Sequence, residues 1–451
     1  MIRHFSMAMF CLFLLIKSYA QSQVKESKQI LTGTDFHFLE QLTKGVLESS
    51  RIYPGQSISS DSELNQTGYV LIRPGGRDCY PSFWIRDYAM SLESGLIPVS
   101  EQLNLLHLTA ATQCNGTWIT RWGSVVPVGA IADHIRINDG LPVYFPGTYS
   151  YVDQGKPEWG TFPPLSDQYF FIHMAFNYVK SSQDTTILQT KFNGLSLIDK
   201  LVLAYNVPPT KRDGVIVYTT EQMRAVDFGF RDAVVITGDL CFPSILKYKA
   251  SLELAWLFNK INKKVEAEKY LGIAALLKKK IPEIFYDERG MLLASTGKSR
   301  QADVWSTSLA VYYGILEGEQ LEKTCRFLTK SYLSGNLSYK GNIRHVITTD
   351  DYSDSTAWEV SSAKLNTYQN GAFWGTPTGW VVYAIAKSNP DVARSLAKEY
   401  IDELKANDFR KGEKFGAPYE CIQPTGEIQN PVYLTTVTCP YAVFKTIFYS
   451  K

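Results

Sequence analysis

From about residue 160 onward, apolar residues return every three or four positions, broken by short polar or Gly/Pro-rich stretches. Ile245, Tyr248, Leu252 and Ala255 fall on one helical stripe. Ala267, Tyr270, Ala274, Leu277 and Ile281 repeat that stripe after the turn Asn262-Lys263-Lys264. The same periodicity predicts paired helices over 303–316 and 321–330, split by Glu317-Gly318. Another pair is predicted over 371–387 and 391–405, split by Ser388-Asn389-Pro390. Earlier helices are predicted over 36–47, 86–96, 101–112, 167–180 and 184–204, with a last one over 440–449. The tally is about twelve helices, or about six hairpins.

The first helix of many pairs is the more apolar one, as in Tyr169-Phe170-Phe171-Ile172 and Trp380-Val381-Val382-Tyr383. Partner helices carry more Lys and Glu. That asymmetry fits a double ring, with inner helices buried and outer ones half-solvated. The expected fold is therefore all-α, an (α/α)6 toroid in one domain over residues 21–451. An open helical solenoid would need a fixed-period repeat, and none is visible. Gly214-Val215-Ile216-Val217-Tyr218 and Met291-Leu292-Leu293-Ala294 read as short β-hairpins in the loops. Residues 51–82 look irregular, and no linker divides the chain.

Residues 1–20 read as a secretory signal: Arg3 and His4, an apolar run from Met7 to Ile16, then Ser18-Tyr19-Ala20 before Gln21. Export to a periplasmic or extracellular space is expected. The run is too short to span a bilayer, and no later segment is long and apolar enough. Cys79, Cys114, Cys241, Cys325, Cys421 and Cys439 would remain, scattered and without CxxC spacing, so zinc is not expected. Mostly buried thiols are expected, with room for one or two bridges. A formal charge of +2 gives no reason to expect nucleic acid or an acidic membrane surface as partner. Aromatic residues are 13% of the chain, enough for a core and for flat surfaces on which sugar rings stack.

Four motifs sit at or just before predicted inner helices, where a central pocket would meet them. In Phe83-Trp84-Ile85-Arg86-Asp87-Tyr88 the Trp84 face can stack on a sugar, and Arg86 with Asp87 can clamp two hydroxyls. A helix-cap ion pair beside a core Trp is the plainer reading. In Asp227-Phe228-Gly229-Phe230-Arg231, burial of Asp227 among rings would raise its pKa toward that of a general acid. Arg231 would oppose this by pairing with Asp227, and is better employed on a substrate hydroxyl or on Asp232. Asp232 is the nearest rival for the acid, whereas Asp239 reads as a helix cap. Glu420 lies in a turn-rich loop before the last helix, where a base could grip a water; Glu413 and Glu427 compete. In Tyr368-Gln369-Asn370-Gly371-Ala372-Phe373-Trp374, Gln369, Asn370 and Trp374 suit hydroxyl recognition, though Asn370-Gly371 is also a tight-turn signal. Gln301-Ala302-Asp303-Val304-Trp305 and Ser166-Asp167-Gln168 read as capping first. Two carboxylates on separate loops of a paired-helix chain suggest glycosidic-bond cleavage, one donating a proton and the other activating water.

Together these residues resemble the six-hairpin glycosidases: trehalase, processing α-glucosidase I and glucoamylase-type enzymes. Asp227-Phe228-Gly229-Phe230-Arg231 is similar to their Asp-Phe/Asn-x-x-Arg acid motif. Glu420 with Pro424-Thr425-Gly426 is similar to the late Glu that serves as base in the α-glucosidase I group. Arg86-Asp87 resembles a hydroxyl-binding pair, and Tyr368-Gln369-Asn370-Gly371 resembles a Tyr-His-Asn-Gly segment with Gln for His. Ala225-Val226 stands where Trp or Gly-Met usually precedes the acid, and the loop after Glu420 is one residue short. The resemblance implies an inverting hydrolase acting from the non-reducing end. Its acid would be Asp227 and its base Glu420, and Trp84, Arg86, Asp87, Arg231, Gln369, Asn370 and Trp374 would hold the sugar.

No metal or organic cofactor is expected, since no nucleotide glycine loop, HExxH or EF-hand pattern occurs. A carbohydrate substrate and a monomeric state are expected. The rival readings are a polysaccharide lyase or sugar epimerase on the same scaffold, with His134, His173 or His345 as base, and a non-catalytic glycan-binding protein.

Overall fold

The computed structural model describes residues 29–58, 63–77, 79–347 and 358–449; the signal-like segment lies outside them. Within this range twelve helices run beyond one turn, and Arg212–Val215 adds a single turn. In chain order they are α1 (Gly33–Ser50), α2 (Ile85–Ser91), α3 (Val99–Thr112), α4 (Leu165–Ser182), α5 (Leu197–Asn206) and α6 (Cys241–Lys260). Then come α7 (Lys264–Phe285), α8 (Val304–Tyr312), α9 (Gly318–Leu333), α10 (Thr378–Ala386), α11 (Pro390–Ala406) and α12 (Thr435–Tyr449).

Burial separates the even from the odd helices. Every residue of α2 is buried, and so is every residue of α8 except Tyr312. On α7 the buried set is Ala267, Tyr270, Ala274, Leu277, Ile281 and Phe285, the predicted stripe extended by one turn. On α11 it is Val392, Ala393, Leu396, Ala397, Tyr400, Ile401 and Leu404, again a single stripe. The even helices pack in a closed cycle: α2 on α4, α4 on α6, α6 on α8, α8 on α10, α10 on α12, and α12 back on α2. The odd helices lie outside, α7 on α6, α11 and α9 on α10, and α1 on α12. Among the described residues no helix is long and apolar enough to cross a membrane.

Two predicted helices are corrected. Residues 184–204 begin as a 3-10 turn and a tight hairpin, Lys191–Phe192 against Leu195–Ser196. Asn193 and Gly194 both take positive φ there, the geometry of a two-residue hairpin turn, so α5 starts only after the Ser196 cap. Residues 371–377 are also not helical. Gly371 has φ 122°, and Phe373–Trp374 forms a strand between Asn342–Ile343 and Tyr419–Ile422 in a five-stranded sheet. That sheet brings Glu420 to the same end of the ring as α2. A second small sheet, Ser82–Trp84, His134–Arg136 and Pro142–Val143, delivers Trp84 and His134 side by side. Asp239 ends a strand, and the cap position of α6 falls on Leu240. Among the described residues Cys114, Cys241, Cys325, Cys421 and Cys439 are free thiols, so none of these five forms a bridge.

Candidate active site

A cavity of about 280 Å³ opens where the first turn of α2 meets the loops that carry the motifs. Trp84, Arg86, Asp87, Asp232, Tyr368 and Glu420 line it, with Tyr80, Asp133, His134, Tyr149 and Tyr433. The structure thus brings together Trp84, Arg86, Asp87 and Glu420 from the sequence prediction. Asp227, Arg231, Gln369, Asn370 and Trp374 are buried and do not line this cavity.

Asp227 sits beneath it. Arg231 Nη1 lies 3.2 Å from Asp227 Oδ2, and Arg231 Nη2 lies 2.6 Å from Asp303 Oδ1. Asp303 in turn accepts from Ser306 N at 3.0 Å and caps α8. The direct Asp227–Arg231 pair is the arrangement that opposes an acid's raised pKa. Arg231 therefore holds neither a sugar nor Asp232. Burial still lifts Asp227 to about 6, against the pull of Arg231. This Asp–Arg–Asp triad ties the motif loop to the start of α8.

Asp232, five residues later, faces the cavity. Gln369 uses both ends of its amide on this loop: Oε1 accepts from Ala233 N at 2.7 Å, and Nε2 donates to Asp232 Oδ1 at 2.7 Å. Gln369 is thus a support for the carboxyl, not a sugar contact. Burial raises Asp232 to about 6, with Arg86 pulling down and Asp133 pushing up. Asn370 donates to Ala363 O at 3.0 Å inside its tight turn, and Trp374 Nε1 donates to Tyr368 O at 3.3 Å from within the sheet.

Glu420 is held by three donors. Tyr80 Oη lies 2.8 Å from both carboxyl oxygens, Tyr368 Oη lies 3.4 Å from Oε1, and Asn430 Nδ2 donates to Oε2. All three donors sit on left-handed backbone: Tyr80 at φ 58°, Tyr368 at 43°, Asn430 at 45°. Such conformations cost about 1–3 kcal/mol each and cluster at functional sites. Burial pushes Tyr80 and Tyr368 far above the ordinary phenol range, so both remain O–H donors. Burial likewise lifts Glu420 to about 8, with Asn430 and Tyr80 lowering it and the charges of Asp87 and Asp232 raising it. That mutual effect places the two carboxyls in one electrostatic neighbourhood.

The far wall is built by ion pairs and rings. Arg86 Nη1 lies 2.5 Å from Asp133 Oδ1, and Arg86 Nε lies 3.7 Å from Asp87 Oδ2. Asp87 Oδ1 accepts from Tyr433 Oη at 2.9 Å, and burial lifts its carboxyl to about 6. Trp84 stacks on His134 with centroids 4.5 Å apart, and Tyr149 closes edge-on over both. His134 Nδ1 lies 2.8 Å from Asp133 Oδ2.

Sequence reasoning passed over Tyr80, Tyr149, Asn430 and Tyr433. Asn430 before Pro431 is a turn signal, but nothing local marks the three tyrosines among 27 in the chain.

No protein-family model matches the chain. No curated protein sequence matches it either. Solved structures do. One is a rhamnosidase from Klebsiella oxytoca with rhamnose bound: TM-score 0.52, 12% identity, 92% of this chain and 64% of that one. Another is a GH78 family rhamnosidase of Bacillus sp. GL1: TM-score 0.53, 10% identity, 91% of this chain and 34% of that one. The chain therefore spans less than two thirds of either protein, and it shares their fold.

Proposed function

We propose that this chain is an exported, monomeric, inverting glycoside hydrolase that removes a terminal sugar, built as an (α/α)6 toroid. The closed packing cycle of six buried helices supports the toroid. One observation carries the activity: two carboxyls with raised pKa values, half-buried Asp232 and buried Glu420, line one aromatic-walled cavity from separate loops.

The roles follow from the partners. Glu420 accepts from three donors, which favour its ionised form and suit a base, while burial still holds it at about 8; turnover therefore runs through the minor fraction in which Glu420 is ionised and Asp232 carries the proton. Asp232 receives one side-chain donor, on Oδ1, against three for Glu420, and Oδ2 is the oxygen assigned the proton. Asp232 protonates the glycosidic oxygen as the C–O bond breaks. Glu420 takes a proton from the water whose oxygen bonds to the anomeric carbon from the opposite side. Trp84 provides a flat wall for the ring, and Arg86 and Asp87 a donor and an acceptor for its hydroxyls. The shared fold, together with the rhamnose in one neighbour's title, makes L-rhamnosides the first substrates to try.

Paired variants test the assignment. Asp232→Asn is expected to lower kcat on unactivated glycosides about 10²–10⁴-fold. Its melting temperature should stay near wild type. Asp227→Asn is expected to lower the melting temperature and keep substantial turnover. If the two outcomes are exchanged, Asp227 is the acid and the present reading fails. Product configuration, followed by NMR during hydrolysis of an aryl glycoside, tests inversion.

His134 favours one second reading, since its Nε2 is buried at the cavity with no protein partner while Nδ1 is fixed by Asp133. That geometry would serve a lyase or epimerase base. Unsaturated or epimerised products that vanish in His134→Ala would establish it; unchanged hydrolysis in that variant would exclude it.

A further inference from the structure

The ring has a second cavity, of about 680 Å³, separate from the first. All six inner helices wall it, α2 through Glu93 in the turn that follows it, the others through Asn177, Tyr248, Tyr312, Tyr383 and Thr446. Its volume is that of a small-molecule site, about 300–1,000 Å³. None of its residues takes part in the chemistry proposed above.

A built polar cluster stands at its inner end. His173 Nδ1 lies 2.6 Å from Glu253 Oε1, and Asn177 Nδ2 donates to His173 Nε2 at 3.0 Å. Lys249 Nζ lies 3.8 Å from Glu253 Oε1 and 4.0 Å from Glu93 Oε1, over the Tyr313 ring at 5.0 Å. Glu253 is 2% exposed and lines not the cavity itself but an adjoining recess that shares Glu93, His173, Lys249 and Tyr313 with it, and its Oε2 has no hydrogen-bond partner within the protein. A buried carboxylate oxygen without a donor is costly, and a ligand O–H would satisfy it.

The charges already balance. Lys249 occupies the place over the aromatic ring that an organic cation would take, and together with Lys180 on the cavity wall it offsets the carboxylates of Glu93 and Glu253. What remains is an unpaired acceptor, an amide and flat tyrosine walls. Those features select a neutral, polyhydroxylated ring with an apolar face. We propose that this second cavity binds a neutral monosaccharide, independently of the first.

The test uses the full-length Trp84→Ala protein, whose first cavity has lost its flat wall, and saturation-transfer NMR with L-rhamnose, D-glucose and D-galactose at millimolar concentration. At least one sugar is expected to bind. Adding Tyr383→Ala or Glu253→Gln should weaken it about tenfold or more, a loss of about 1.4 kcal/mol. In the otherwise wild-type chain, Tyr383→Ala should leave glycoside turnover unchanged, and melting curves verify that each variant is folded. Absence of binding in Trp84→Ala, or binding that neither added substitution alters, overturns the proposal.

Discussion

At the scale of single residues, the motif around Asp227 does two jobs within the six residues from Asp227 to Asp232: it anchors and it presents. Arg231 pairs inward with both Asp227 and Asp303, and Asp232 turns outward to the cavity. Gly229 between them has a steric reason. A Cβ at this position would overlap Nε and Cδ of Arg86. Gly229→Ala is therefore expected to displace Arg86 from Asp133, raising KM on any glycoside it cleaves more than it lowers kcat, and to lower the melting temperature because a buried ion pair is broken. Steady-state kinetics beside a melting curve checks this. The same scale sets the pH dependence. With Asp232 at about 6 and Glu420 at about 8, the pair holds a single proton between those values, mostly on Glu420, and the reactive form with that proton on Asp232 is a minor form of the same charge and pH range. Turnover should follow a bell with limbs near about 6 and about 8, and Gln369→Ala, which removes a donor that lowers Asp232, should move the Asp232 limb upward.

At the scale of elements, periodicity located the outer helices well, because one face of each is wet and the contrast is strong, as on α7 and α11. It misjudged residues 184–204 and 371–377, where short strands and left-handed turns interrupt apolar stretches. Apolar runs of that length read alike as helix or strand. The consequence for the site is concrete. Trp374, on a strand instead of a helix, packs beneath the cavity against Tyr368, Phe230, Trp305 and His345. Its role is to set Tyr368 and the motif loop from below. Trp374→Ala should cost about 3–5 kcal/mol of stability, measured by chemical denaturation, as for a large ring removed from a core.

At the scale of the whole molecule, burying so many carboxyls makes stability depend on pH. Glu420 rises from 4.5 to about 8 on folding, so the folded state binds its proton more tightly than the unfolded chain. Its contribution to stability is complete at low pH and disappears as pH rises through about 8. Asp232, Asp87 and Asp227, raised to about 6, act in the same direction at lower pH. The melting temperature should therefore fall between about pH 4.5 and about pH 8, and fall less in Glu420→Gln. A flat profile in the wild-type chain would contradict the burial of this carboxyl.

The sequence alone determined that the chain is a set of paired helices with buried inner members, since amphipathic periodicity is local and repeats along the chain. It also singled out Trp84, Arg86, Asp87 and Glu420, because unusual clusters of rings, amides and charges at helix starts are visible without any contacts. Which of two nearby aspartates faces the cavity was a tertiary matter. Asp227 and Asp232 differ little in local sequence, and only the placement of Arg231, Asp303 and Gln369, brought from distant loops, turns one carboxyl inward and leaves the other free to meet a ligand.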